Sequence, residues 1–463
     1  MDDSYQFDLL CIGSGPAGQR AAVQGAKLGF RVGIVEKRRS LGGVCLDTGT
    51  IPSKTFREAV LSFAGGGLDR RTPVTTVRPT ATQLLERVAQ VVAQEGAIID
   101  NQLRRNGVEV LGGEATFKDP HTLVIRGADG WREVTARQIV LAVGTTAAPS
   151  PGVASDGDTI LTSDDIVTLK RLPRTLTVVG AGVIGIEYAS MFAALGVEVT
   201  LVEKRRRPLE FLDDEIVDEL IHQMRRRHLI FRPNETVERL EIAEGPPRRA
   251  VIHLESGKRI ASDMALFSVG RIGATASLNL EAAGLTADER GRLAVDEQFR
   301  TPVLHVFAVG DVIGYPSLAA TSSEQGRLAA CHALGAPASR MAKHFPIGIY
   351  SIPEISMVGA TEHELTGSKV PYEVGVARYR EIARGQILGD ESGFFKMLFH
   401  RGDRRLLGVH IIGTGATELL HIGQTVFGLG AGLDYFLETV FNYPTLAECY
   451  KVAALNAANR LAV

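Results

Sequence analysis

Two glycine clusters hold the clearest chemistry in this 463-residue chain. Gly13-Ser14-Gly15-Pro16-Ala17-Gly18 and Gly180-Ala181-Gly182-Val183-Ile184-Gly185 both read G-x-G-x-x-G. Each is trailed by a glutamate 18 residues after its last glycine, Glu36 in one and Glu203 in the other. The second copy thus repeats the first at an offset of 167 residues. An apolar, strand-like run precedes each cluster, Phe7 to Ile12 and Leu176 to Val179, and a helical pattern follows. That order is what a dinucleotide site needs. The first glycine permits the turn, the second lets a pyrophosphate approach the backbone, and the third lets helix and strand pack closely. The helix N-terminus stabilises the negative charge, and the acid suits a ribose diol. A lone G-x-G-x-x-G is a weak signal, and two ligand-free tight turns are the plain alternative. Strand, helix and acid repeated together predict two dinucleotide sites.

Between the clusters runs Leu41-Gly42-Gly43-Val44-Cys45-Leu46-Asp47-Thr48-Gly49-Thr50-Ile51-Pro52-Ser53-Lys54. Further along come Val269-Gly270-Arg271, Ala308-Val309-Gly310-Asp311, Ser351-Ile352-Pro353-Glu354 and Pro444-Thr445-Leu446-Ala447-Glu448. Together and in this order, these segments resemble the flavoprotein disulfide reductases, the family of dihydrolipoamide dehydrogenase, glutathione reductase and mercuric reductase. The likeness covers essentially the whole chain. It implies an α/β fold with two Rossmann-like dinucleotide-binding domains plus a C-terminal α+β dimerisation domain. It also implies FAD at the first fingerprint, held by Gly13, Gly15, Gly18, Glu36, Lys37, Gly42, Gly43, Val44, Cys45, Lys54, Ala115, Gly144, Asp311 and Ala319. NAD(P) is expected at the second, on Gly180, Gly182, Gly185, Glu187, Glu203, Lys204, Arg205, Val237, Gly270 and Arg271. By the same resemblance, Lys54 and Glu187 form an ion pair beside the flavin ring. The plain alternative for that pair is a surface salt bridge worth ~0–1 kcal/mol.

Two segments depart from the family pattern. The redox segment of the family reads G-G-x-C-x-x-x-x-C-x-P-S-K, and here Thr50 stands at its second cysteine, leaving Cys45 alone. The C-terminal signature H-x-H-P-T-x-x-E reads Phe441-Asn442-Tyr443-Pro444-Thr445-Leu446-Ala447-Glu448, with Tyr443 in place of the catalytic histidine. Disulfide reduction needs a thiol pair to take electrons and an imidazole, held by the glutamate, to move the proton. Cys45, Thr50, Tyr443 and Glu448 therefore mark a degenerate disulfide site. The combination resembles those relatives in which FAD passes hydride between NADPH and NAD in a ping-pong sequence, with NAD and NADP as substrates. Two other readings stay open: a different NAD(P)H flavoenzyme, dihydrolipoamide dehydrogenase-like or quinone-reducing, and a flavin-binding protein without catalysis.

Nucleotide choice is ambiguous in the sequence. Glu203 suits a free 2′-hydroxyl and repels a 2′-phosphate. Lys204, Arg205, Arg206 and Arg207 follow at once and could grip a phosphate, or could form a solvated loop.

The elements that must position these groups follow from the composition. Apolar residues make up 45% of the chain and charged residues 22%, enough to bury several cores. Fifty glycines, about 11% of the chain, exceed the usual ~7% and belong in specific turns. A net charge of −2 provides no basic field for nucleic acid or anionic membrane, and no nucleic-acid or membrane partner is expected. Four scattered cysteines, Cys11, Cys45, Cys331 and Cys449, fit neither a disulfide scaffold nor a zinc site, and no metal is expected. No signal peptide and no apolar run of ~18 residues is seen, so a soluble, cytoplasmic protein is expected. Arg225-Arg226-Arg227-His228 reads as a helix surface, and Gly65-Gly66-Gly67 with Arg70-Arg71 as a surface loop. Composition shifts at Pro149-Ser150-Pro151-Gly152 and after Arg271 predict the joints. They divide the chain into an FAD-binding domain over 1–150 and 275–345, an NAD(P)-binding domain over 151–274, and a dimerisation domain over 346–463. A homodimer or higher homo-oligomer is expected from the resemblance.

Overall fold

The computed structural model describes residues 4–38, 40–64, 78–128, 130–342 and 344–461. The loop expected at Gly65–Gly67 and Arg70–Arg71 lies outside them. Strand β1 (Phe7–Ile12) is buried along its whole length, as a central parallel strand covered on both faces must be. It pairs in parallel with β2 (Val32–Glu36) on one side. Beyond β2 lies β3 (Glu109–Gly112). A short hairpin, β4 (Glu114–Asp119) and β5 (Thr122–Gly127), leads into the long β6 (Gly130–Leu141). The first half of β6 pairs antiparallel with β5, and the second half pairs in parallel with β1. The chain returns much later to complete this sheet, when Val306–Ala308 aligns in parallel on Ile139–Leu141 of β6.

Helix α1 (Pro16–Lys27) connects β1 to β2 and presents Ala17, Ala21 and Ala22 to the core. Proline at its first position costs no hydrogen bond and presets the helical φ. Four further helices flank the site. They are α2 (Gly43–Asp47), α3 (Thr50–Phe63), α4 (Ala81–Arg105), which opens on a Thr80/Gln83 capping box, and α5 (Val183–Ala194). The second parallel sheet runs in the order 230–233, 198–203, 175–179, 264–267 and 160–162. Its neighbours are the antiparallel strands 237–243, 249–254 and 259–262. α6 (Asp214–Arg226) packs against this unit, with Arg225 and Arg226 on its exposed last turn, where cations favour the helix dipole. A last five-stranded sheet spans 347–412 and carries helices to the C-terminal end. No helix among the described residues is long and apolar enough to cross a membrane.

Candidate active site

The two fingerprint turns are built alike. A Cβ added to Gly13 would lie 2.4 Å from the Ala142 carbonyl oxygen, and one on Gly18 would lie 1.9 Å from that of Gly13. On Gly15 it would meet nothing within 4 Å. In the second copy the distances are 2.8 Å for Gly180 (to Ser268) and 1.9 Å for Gly185 (to Gly180), and Gly182 again faces open space. The outer glycines are required by close packing, with Gly13 and Gly180 also at positive φ, while each central one caps a helix toward a free volume. Such a cradle accepts a pyrophosphate against helix N–H groups.

Each glutamate is tied to its own turn. Glu36 is buried, and its Oε2 accepts from Ser14 N at 3.0 Å and Ser14 Oγ at 2.6 Å, while Oε1 accepts from Arg38 N at 2.9 Å. Ser14 Oγ also accepts from Gly42 N, which draws the start of α2 over the first turn. Gly43 comes so close to Gly15 that a Cβ there would lie 2.8 Å from the Gly15 Cα. Among the other residues expected at this site, Lys37 pairs with Glu114 at 3.5 Å and Val44 lies in α2. Ala115 is buried on β4, Gly144 adopts φ +65° just beyond β6, and Ala319 starts the helix Ala319–Ala333. Burial raises the Asp311 carboxyl against the opposing pull of Arg271 and Ser322. A cavity of about 550 Å³ adjoins the turn, bounded by Pro16, Gly42, Cys45, Ile51, Ile98 and Arg105 among others.

Glu203 is 4% exposed. Its Oε2 accepts from Ala181 N at 2.6 Å, and its Oε1 from Arg205 N at 3.0 Å and Arg205 Nε at 2.9 Å. Burial works to raise its pKa, but the Arg205 guanidinium and the two N–H groups outweigh it and the net direction is down. The basic run does not act as one patch. Lys204 and Arg206 are exposed, whereas Arg207 turns to Asp218 at 2.7 Å and Asp214 at 3.4 Å on α6. Val237 begins a half-buried strand, and Gly270 lies exposed at φ +133°. Arg271 is held by Thr145 and by Asp164, with Nη1 at 2.9 Å from the Asp164 carboxylate.

Lys54 and Glu187, 133 residues apart, meet where these units join. Lys54 Nζ lies 3.0 and 2.9 Å from the two carboxylate oxygens of the buried Glu187. Sequence reasoning missed what surrounds them. Glu187 also accepts from Tyr350 N at 2.9 Å, and the Tyr350 ring lies 5.0 Å below Lys54 Nζ. One turn along α3, Arg57 pairs with buried Glu354 at 3.1 Å and donates to the Ser351 carbonyl. The only sequence signal was the i, i+3 spacing of Lys54 and Arg57 opposite the Ser351–Glu354 motif. Cys45 is half-buried at the start of this region. Burial pushes its thiol upward and Asp311 adds to this, while a hydrogen bond with Thr50 and the Lys54 charge oppose it. Tyr443, 67% exposed, and Glu448 lie in the C-terminal unit. Among the described residues no hydrogen bond joins them to Cys45 or Lys54, and Glu448 Oε2 is buried without a partner.

Known proteins share this arrangement. The family model "Pyridine nucleotide-disulphide oxidoreductase" matches residues 7–326, and the dimerisation domain of the same family matches residues 345–454. The chain belongs to this family. It is accordingly an oxidoreductase that uses FAD and NAD(P), and the two fingerprint cradles fit those groups. A soluble pyridine nucleotide transhydrogenase of Mycobacterium bovis is 51% identical over 98% of both chains. One from Photobacterium profundum is 44% identical, again over 98% of each. Among solved structures, an HOCl-induced flavoprotein disulfide reductase from Escherichia coli superposes with a TM-score of 0.87 at 27% identity, covering 97% of this chain and 99% of the other. LpdA from Mycobacterium tuberculosis matches with a TM-score of 0.87 at 26% identity, over 96% of this chain and 99% of that one.

Proposed function

We propose that this chain catalyses NADPH + NAD⁺ ⇌ NADP⁺ + NADH, the pyridine nucleotide transhydrogenase activity that its curated relatives are named for. The observation that carries the reading is that Thr50 stands beside Cys45 where a reductase would place two thiols. The remaining cysteines, Cys11, Cys331 and Cys449, are free and buried elsewhere. With no second thiol at that position and no histidine at 443, electrons have no protein relay to follow beyond the flavin.

FAD, when bound, supplies the two-electron chemistry between one nicotinamide and the next. The chain supplies position and charge. Gly13, Gly15, Gly18 and the N-terminus of α1 receive the FAD pyrophosphate, with Glu36 at the adenosine ribose and Asp311 toward the sugar chain. Lys54 Nζ, fixed by Glu187 and by the Tyr350 face, would stand beside the flavin ring and favour its reduced form by electrostatic stabilisation. Gly180, Gly182 and Gly185 receive NAD(H) or NADP(H), and Glu203 and Arg205 read its 2′ position. We assign residues 1–150 and 275–345 to the FAD domain, 151–274 to the NAD(P) domain and 346–463 to dimerisation, in a cytoplasmic homodimer.

A stopped-flow experiment tests this. NADPH alone should bleach the flavin absorbance of the holoenzyme, and NAD⁺ added next should restore it. Recovery with a quinone but none with NAD⁺ would reject the transhydrogenase reading.

A further inference from the structure

The duplication provides an internal control for Arg205. Glu36 and Glu203 occupy equivalent places, and each takes a backbone N–H from its turn and another from two residues on. The third donor differs. At the first site it is the hydroxyl of Ser14, and the Arg38 guanidinium turns away to pair with Asp47. At the second site position 181 is alanine, and the Arg205 guanidinium folds back onto the carboxylate instead. Its Nε lies 2.9 Å from Oε1 and its Nη2 3.3 Å from Oε2. Glu203 therefore accepts four N–H groups, and a carboxylate has about four lone-pair directions. Among the described residues Glu36 accepts three donors and keeps a direction for a ribose hydroxyl.

We propose that Arg205 is a cap on Glu203 that sets which nucleotide the second site takes, resting on the nucleotide site assigned above. With the cap closed, the carboxylate charge is screened and the guanidinium edge not used by Glu203 still has free N–H donors. That state accepts a 2′-phosphate. A 2′-hydroxyl needs the lone pair that the cap covers, so NAD(H) binds only after the Arg205 side chain leaves. The Arg205 side chain is 40% exposed, so it can swing into solvent without disturbing packing. One pocket thus serves both nucleotides by two positions of one side chain. The counter-intuitive consequence is that deleting this cation improves NAD(H) binding.

The test uses ADP-ribose and 2′-phospho-ADP-ribose, which carry no nicotinamide and differ only at the 2′ position, titrated calorimetrically into FAD-loaded enzyme. Arg205→Met keeps the length and loses the donors. It should bind ADP-ribose ~5-fold more tightly, the fold-change for one surface ion pair of ~1 kcal/mol. It should bind 2′-phospho-ADP-ribose ~10-fold or more weakly. Arg205→Lys keeps the charge but cannot hold carboxylate and phosphate in one fork, and should fall between. It also serves as the test if Arg205→Met fails to fold. ADP-ribose binding that is unchanged or weaker in both variants overturns the cap. Crossed affinities in an enzyme that cannot pass hydride from NADPH to NAD⁺ would keep the cap and reject the proposed reaction.

Discussion

Replacing Cys45 with serine tests the thiol-free reading most directly. Cys45 is half-buried, and its hydrogen bond with Thr50 is one that a serine hydroxyl can also make. Burial is the largest influence on the thiol and pushes its pKa up. An ordinary thiol of pKa ~8.5 is only ~3% ionised at pH 7, so Cys45 holds even less thiolate. It is therefore not a ready nucleophile, and with Thr50 at the partner position it has no second thiol in its motif. The substitution exchanges one neutral hydrogen bond for another, a difference of ~1 kcal/mol at most. A barrier change of that size is about fivefold in rate. Turnover of NADPH with a thio analogue of NAD⁺ should stay within that range, with FAD content unchanged. Titration of the unfolded wild-type protein should find all four thiols free. A loss beyond ~100-fold, or ~2.7 kcal/mol of barrier, in a variant that retains its flavin would show that Cys45 takes part in the chemistry.

Four further outcomes follow. Lys54→Met leaves Glu187 buried with, among the described residues, only the Tyr350 N–H as a partner and removes a charge-assisted contact of ~1.5–3 kcal/mol. The two-electron potential of the bound flavin should fall by ~30–60 mV, read by dye equilibration, and an unchanged potential would place Lys54 away from the ring. Lys396, 1% exposed, joins Asp213 at 2.9 Å, Glu215 at 2.7 Å and Glu362 between the second and third units. Lys396→Met should cost ~3–5 kcal/mol by stranding the buried Asp213 carboxylate, and Tm should drop by about 10 °C. In the native protein burial works to raise Asp213, but His410, Lys396 and hydrogen bonds outweigh it and hold the carboxyl low. Its contribution is present above the ordinary carboxylate pKa and fades as pH falls through the lowered folded value. Without Lys396 that lowering is lost, so the Tm deficit should hold from neutral pH down to about pH 4 and narrow only as pH falls further; a deficit independent of pH below that would rule out Asp213 as its source. Sedimentation at micromolar protein should give a dimer, consistent with the exposed Val440 and Tyr443, and a fully active monomer would refute the proposed homodimer. In that dimer Tyr443→His should not create disulfide reductase activity, because Thr50 still lacks the thiol.

The turns and acids of both nucleotide sites were legible in the residues alone. A positive φ, a missing Cβ and a helix start are local requirements, met within six residues, so the glycine pattern encodes them directly. The absence of a second thiol at Thr50 was equally plain. Other features needed the fold. β6 is one such element, because its polar first half, which pairs with β5, alternates weakly and hides its strand character. A return of residues 275–345 to the first unit was expected, but the alignment of Val306–Ala308 on Ile139–Leu141 spans too many residues for any local pattern to declare. Tyr350 gave no signal, since its role comes from the face it turns to Lys54 across three packed units. The basic run after Glu203 is the sharpest case. Its four side chains are chemically alike in sequence, yet packing sends Arg207 to α6, leaves Lys204 and Arg206 in solvent, and lays Arg205 over Glu203. Long cationic side chains have several rotamers of similar intrinsic energy, so what each one does is decided by which acceptor the tertiary structure brings within reach.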